Sequence, residues 1–119
     1  MEVINLKDKL GKFTDHYSPK IISELNGHHV KLGKFKGDFV WHSHEKEDEL
    51  FMVLKGKFLM DFRDKTVEIN EGEIIVVPKG VEHRPRAEEE VHVMLFEPAS
   101  TLNTGNVENE LTKKELDWI

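Results

Sequence analysis

The chain has 119 residues and a formal net charge of −6, with 17 Lys and Arg against 23 Asp and Glu and no Cys. This length suits one domain, and the acidic balance without a basic cluster argues against nucleic-acid binding. No apolar run approaches the length of a membrane span, and the charged N-terminus lacks the apolar core of a secretory signal. We therefore expect a cytoplasmic protein without nucleic-acid or membrane partners, in which any metal site uses His and carboxylate ligands.

Residues 1–18 carry charges at short intervals and are predicted to form an N-terminal arm. From 19 to 98 the chain alternates between turn signals, such as Asn26-Gly27, and short segments rich in β-branched and aromatic residues. The predicted strands are 21–25, 29–35, 49–54, 57–62, 66–69, 73–77, 83–87 and 91–96. So many short strands in succession are typical of an all-β barrel or sandwich.

Two of these segments, 50–54 and 74–77, are apolar at every position instead of at alternate ones. In an antiparallel sheet this pattern indicates that both faces of the strand are covered. One face lines the barrel, so the other is expected to pack against the chain termini or against a second subunit. The sequence therefore predicts a homodimer.

Residues 99–119 are polar and are predicted to form a C-terminal arm. Thr112 and Glu115 have the spacing of a capping box, and Leu116 and Ile119 can anchor a helix that begins there. The sequence therefore predicts a short helix of one or two turns at the end of the chain.

A possible metal site is the strongest chemical signal. His42 and His44 are two residues apart, so in a strand they project from the same face, although on their own they could be an exposed pair. Glu49 stands at the head of the next apolar strand, where an unpartnered carboxylate would be costly to bury, and His83 comes after a Pro-Lys-Gly turn. Three imidazoles and one carboxylate suit a divalent transition metal: Fe, Mn, Ni, Co, Cu or Zn.

The spacing of these residues resembles the two sequence motifs of the cupin family. The matching patterns are Gly37-x4-His42-x-His44-x4-Glu49-x6-Gly56 and Gly72-x5-Pro78-x-Gly80-x2-His83. The resemblance extends to small single-domain bacterial cupins, many of which are labelled mannose-6-phosphate-isomerase-like. It implies a single cupin β-barrel (double-stranded β-helix, or jelly roll) with metal ligands at His42, His44, Glu49 and His83. The second motif departs from the usual pattern at Ala87, where the family commonly has Asn.

Two functions remain open from the sequence. The first is a small-molecule metalloenzyme, an isomerase, lyase or dioxygenase acting on a small polar substrate, with Glu49 as a possible proton acceptor. His92 alternates with Met94 and Phe96 and is predicted to face the interior, as a core histidine or as a general base, and Tyr17 is a weaker candidate for that role. The second is a non-catalytic protein that binds a metal or small ligand as a sensor or carrier.

Overall fold

The predicted all-β architecture is confirmed by the computed structural model, which describes residues 1–119. The elements are α1 (Leu6–Leu10), β1 (Lys20–Leu25), β2 (His28–Asp38), β3 (Glu49–Lys55), β4 (Lys57–Phe62), β5 (Thr66–Asn70), β6 (Ile74–Val77) and β7 (His83–Pro98). The predicted strands 83–87 and 91–96 are one continuous strand, β7. None of the helical structure has the length or the apolar character needed to cross a membrane.

Strand β7 is the centre of the sheet. The hydrogen-bonded order is β1-β2-β7-β3-β6, and β4 pairs with both β7 and β5. All of these strand pairs are antiparallel: β2 runs beside nearly the whole of β7, β4 pairs with its first residues, and β3 pairs with its second half. A bulge between Phe35 and Gly37 interrupts the β2–β7 register, and Gly37 takes a positive φ of 80° there.

The interior of the barrel holds the larger of two apolar clusters, which consists of 13 buried residues. Strand β7 contributes Val91, Val93 and Leu95 to it, while the residues between them are less buried. The odd-numbered residues of β7, apart from the exposed Glu89, therefore face inward. The same alternation places the side chains of His83 and Glu97 in the interior as well.

The second cluster lies on the outside of the sheet, where the N-terminal arm covers it. Phe13, Ile22 and Leu32 form its buried centre, and Leu6 and Leu10 of α1 pack against it. Helix α1 begins at Asn5, whose Oδ1 accepts a hydrogen bond from Asp8 N at 3.0 Å. The outer face of the sheet is thus partly covered by a chain terminus, which was one of the two predicted arrangements.

The C-terminal arm differs from its prediction, because no helix forms in 112–119. The Oγ1 of Thr112 accepts a hydrogen bond from Asn109 N at 3.0 Å and lies 2.7 Å from the Oγ1 of Thr104. This hydroxyl therefore forms its hydrogen bonds within a tight turn and does not cap a helix. The last residues run beside β1, where Ile119 N donates to Ile21 O at 3.1 Å.

Candidate metal centre

The extended segment after β2 brings two histidines to the first residue of β7. His42 N donates to His83 O at 3.0 Å, and His83 N donates to His42 O at 2.8 Å. The turn before β7 is tied to the same segment, since Gly80 N donates to His44 O at 2.7 Å. Backbone hydrogen bonds thus fix three histidines from distant parts of the chain around one point.

The structure brings the four predicted ligands together. One donor atom from each of His42, His44, Glu49 and His83 lies within 4.8 Å of all the others. Each of the four residues is at most 4% exposed. Glu49 Oε1 is 2.8 Å from His44 Nε2 and 3.2 Å from His83 Nε2.

Hydrogen bonds from two of the rings set which nitrogen can bind a metal. The Nδ1 of His42 lies 2.9 Å from Val40 O, and the Nδ1 of His83 lies 2.9 Å from Val81 O. A carbonyl accepts, so each Nδ1 carries a hydrogen, and each Nε2 is the nitrogen left to bind a metal. The buried ring of His44 makes no well-aligned hydrogen bond at either nitrogen, although its Nε2 is close to Glu49. Such unsatisfied buried nitrogens are expected where a metal ion completes the site.

The electrostatics of the cluster favour metal binding. Burial lowers the pKa of His42 to about 4, and the nearby His83 contributes to this shift. Burial alone would raise the pKa of Glu49, but the adjacent His44 and His83 lower it well below its ordinary range. At neutral pH the site therefore offers a neutral imidazole at His42 and an ionised carboxylate at Glu49. These are the protonation states that metal ligands require.

A cavity of about 30 Å³ adjoins the cluster. His42 and Glu49 line it on one side, and aromatic rings, among them those of Phe35, Phe39 and Phe51, form much of its wall. A volume of this size holds about one or two water molecules. Only a small ligand, or the reacting end of a larger one, fits beside the metal ligands.

Two charged residues of this cavity were missed by the sequence analysis. Lys31 is 1% exposed and Glu97 is 3% exposed, and Lys31 Nζ lies 3.0 Å from Glu97 Oε1. Burial and the neighbouring Glu49 carboxylate raise the pKa of Glu97 well above its ordinary value. The alternation of side chains along a strand could have indicated Glu97. It is an even number of residues from His83, so the two side chains lie on the same face if one strand carries both.

Of the two candidates for proton transfer, Tyr17 lies at the cavity and His92 does not. His92 lies on the outer face of β7, between the inward-facing Val91 and Val93, and its Nε2 is 3.0 Å from Glu90 Oε1. The prediction that His92 faces the interior is therefore wrong. His83, Val91 and Val93 face inward along one strand, and His92 is an odd number of residues from each of them, so it points to the other face. Tyr17 does line the cavity, but its hydroxyl already donates to Gly37 O.

The C-terminal arm closes over the segment that carries the two neighbouring histidines. Ser43 N donates to Asn106 Oδ1 at 2.9 Å, and Asn106 N donates to Ser43 O at 3.0 Å. Gly105 approaches this segment so closely that a Cβ there would overlap the Ser43 carbonyl oxygen. The backbone N–H and C=O of Ser43, which lies between His42 and His44, are thus both hydrogen-bonded to Asn106.

A barrel of this topology with a buried three-histidine, one-glutamate cluster is the architecture of a cupin. The family model described as "Cupin domain" matches residues 27–97, and the chain belongs to this family.

The relatives support the same assignment without assigning an activity. The chain is 47% identical to a cupin-2 domain-containing protein from Shewanella frigidimarina, with a TM-score of 0.80, covering 81% of this chain and 94% of that one. It is 38% identical to protein NMB1881 from Neisseria meningitidis, with a TM-score of 0.75, covering 82% of this chain and all of that one. The uncharacterized protein YdbB of Bacillus subtilis is 46% identical over 67 residues, which are 56% of this chain and 59% of YdbB.

Proposed function

We propose that this cupin binds one divalent transition-metal ion through His42, His44, Glu49 and His83 and acts as a small-molecule metalloenzyme. The observation that carries the proposal is the convergence of four buried donor atoms within 4.8 Å beside an internal cavity. Three imidazole nitrogens and one carboxylate suit iron, manganese, nickel, cobalt, copper or zinc. When bound, such an ion polarises a substrate oxygen or lowers the pKa of bound water.

The residues around the cluster limit the reactions that suit it. The cavity is small, so a polar substrate would bind with its reacting end among the aromatic rings and its remainder outside. Glu49 can accept a proton from a substrate only when its carboxylate leaves the metal. Isomerase, lyase and dioxygenase chemistry all fit this description. Sugar-phosphate isomerisation, which the mannose-6-phosphate-isomerase-like label suggests, is one reaction to test among these.

A second candidate function, non-catalytic binding of a metal or small ligand, is favoured by one observation. Most other polar groups of the cavity already have partners: Lys31 pairs with Glu97 Oε1, the Tyr17 hydroxyl donates to Gly37 O, and Asn103 Nδ2 donates to Leu111 O at 2.9 Å. Glu97 Oε2 is the exception. Few groups remain free for acid–base work on a substrate. Turnover by the metal-loaded protein that ceases on chelation would exclude this alternative.

Elemental analysis tests the proposed metal site. Wild-type protein purified without chelator is expected to contain about one equivalent of a transition metal, and His42→Ala and His83→Ala are expected to contain less than about a tenth of that. His28→Ala is the matched control, because His28 lies at the start of β2 and outside the cluster. Full occupancy in both site variants would refute the ligand assignment.

We also propose that the protein forms a homodimer through the outer face of β6. Ile74 and Val76 are 59% and 51% exposed there, on a strand at the edge of the sheet. Exposed apolar side chains on an open edge favour association with a second copy. Light scattering after size-exclusion chromatography should give a dimer for the wild type and a monomer for Val76→Glu. A wild-type monomer at micromolar concentration would refute this proposal.

A further inference from the structure

Three ionisable residues stand side by side on the inner face of three adjacent strands. Lys31 lies on β2, Glu97 on β7 and Glu49 on β3, and β7 is hydrogen-bonded to both of its neighbours. The β3–β7 register pairs Leu50 with Phe96. Continued by one residue, it sets Glu49 beside Glu97. The sheet therefore places a lysine and a second carboxyl directly behind a metal ligand.

The contacts link Lys31 to Glu97 at one end and Glu49 to the histidines at the other. Lys31 Nζ donates to Glu97 Oε1 at 3.0 Å, and Glu97 and Glu49 line the same small cavity. The buried Glu97 Oε2 has no hydrogen-bond partner. At the far end, Glu49 Oε1 faces His44 and His83.

This arrangement would be unfavourable unless it served the site. Burying an ammonium and two carboxyls costs several kcal/mol per ion unless each is paired or hydrogen-bonded. The core of an ordinary barrel gains more from apolar side chains at these positions. Groups that hydrogen-bond a metal ligand, in contrast, fix its orientation and raise metal affinity.

Resting on the proposed metal site, we propose that Glu97 is a positioning residue for Glu49. Lys31 holds one oxygen of Glu97, so that the other side of the carboxyl faces Glu49. The carboxyl O–H of Glu97 then donates to the Glu49 carboxylate, which fixes the rotamer in which Glu49 Oε1 faces the histidines. Glu97 and Lys31 do not contact the metal themselves in this arrangement.

Three variants test this role. Glu97→Gln keeps both contacts, since its amide oxygen accepts from Lys31 and its amide nitrogen donates to Glu49. Glu97→Leu removes both but leaves Lys31 buried and unpaired, which endangers folding. The double variant Lys31→Met/Glu97→Leu avoids this, because apolar residues of similar volume replace the whole pair. Lys57→Met/Glu68→Leu is the matched control, since this pair is 3.3 Å apart and exposed.

The measurements are Co(II) affinity by competition, the Co(II) absorption spectrum, and thermal unfolding of the metal-free protein. The Lys31/Glu97 double variant should lose about 10–100-fold in affinity and show a changed spectrum while still unfolding cooperatively. The Gln variant and the control pair should match the wild type in both metal readouts.

Two results would overturn the inference alone: wild-type affinity and spectrum in the double variant, or a loss in the Gln variant as large as in the double variant. Failure of the wild type itself to bind Co(II) would overturn the proposed metal site, and this inference with it.

Discussion

Replacing Gly105 by Ala should detach the C-terminal arm from the metal-binding segment. Gly105 has a positive φ of 56°, and an added Cβ would overlap the carbonyl oxygen of Ser43 and lie 3.1 Å from His42 Cδ2. The overlapping atom belongs to the backbone, so no change of rotamer relieves the contact. The arm must move, and the two hydrogen bonds between Ser43 and Asn106 are lost.

The magnitude is the sum of two contributions. A left-handed conformation costs an L-residue roughly 1–2 kcal/mol, and each lost hydrogen bond costs about 0.5–1.5 kcal/mol. Gly105→Ala should therefore lower the free energy of unfolding by about 2–5 kcal/mol. If the arm moves away without unfolding the barrel, the loss appears instead as faster hydrogen exchange at the Asn106 amide. Metal affinity should also fall, because Ser43 lies between two proposed ligands.

Gly72→Ala is the matched control for this prediction. Gly72 also has a positive φ, 81°, but an added Cβ there would meet nothing within 4 Å. Urea denaturation of both variants separates backbone strain, which they share, from the overlap with Ser43, which only Gly105→Ala has. Equal stability of the two variants, with the Asn106 amide still protected, would refute the reasoning.

Three further predictions concern protonation, packing and the metal. The metal-free protein should lose stability as the pH falls from about 6.5 towards 4: burial lowers the pKa of His42 to about 4, so the unfolded chain takes up a proton first. His42→Gln should lack this part of the slope in urea titrations at several pH values. Met60→Ala, at a fully buried position, should cost about 2–5 kcal/mol in the same assay, against less than about 0.5 kcal/mol for Val3→Ala, at a fully exposed position. Chelation should lower the thermal midpoint of the wild type but not of His83→Ala, and equal shifts in both would contradict the assignment.

Local patterns were sufficient to predict the barrel and the composition of the cluster. Strand alternation placed His42 and His44 on one face, and the turn signals separated the strands at nearly the observed residues. Motif spacing added Glu49 and His83, although only the fold shows that they meet. These features depend on neighbours within a few residues along the chain, which a sequence displays directly.

The errors arose where distant contacts decide the structure. The three glutamates at 88–90 were left outside the predicted strands, but they are the exposed middle of β7. His92 was assigned to the interior because it alternates with Met94 and Phe96, and all three lie on the less buried face of the strand. The hydroxyl of Thr112 matched a helix cap, yet its partners are Thr104 and Asn109. Lys31 was not recognised because a buried lysine becomes understandable only once its partner Glu97 is known.

The length of β7 has a consequence for how this protein can change. His83 is the first residue of the strand and Glu97 is the last but one. A proposed metal ligand and the residue proposed to position another ligand therefore lie at opposite ends of the same strand. Inserting or deleting a single residue in either regularly paired part of the strand would turn one of the two side chains outward. Length variation is therefore better tolerated in the connecting turns, and at the irregularly paired residues between Ala87 and Val91, than in the rest of this strand.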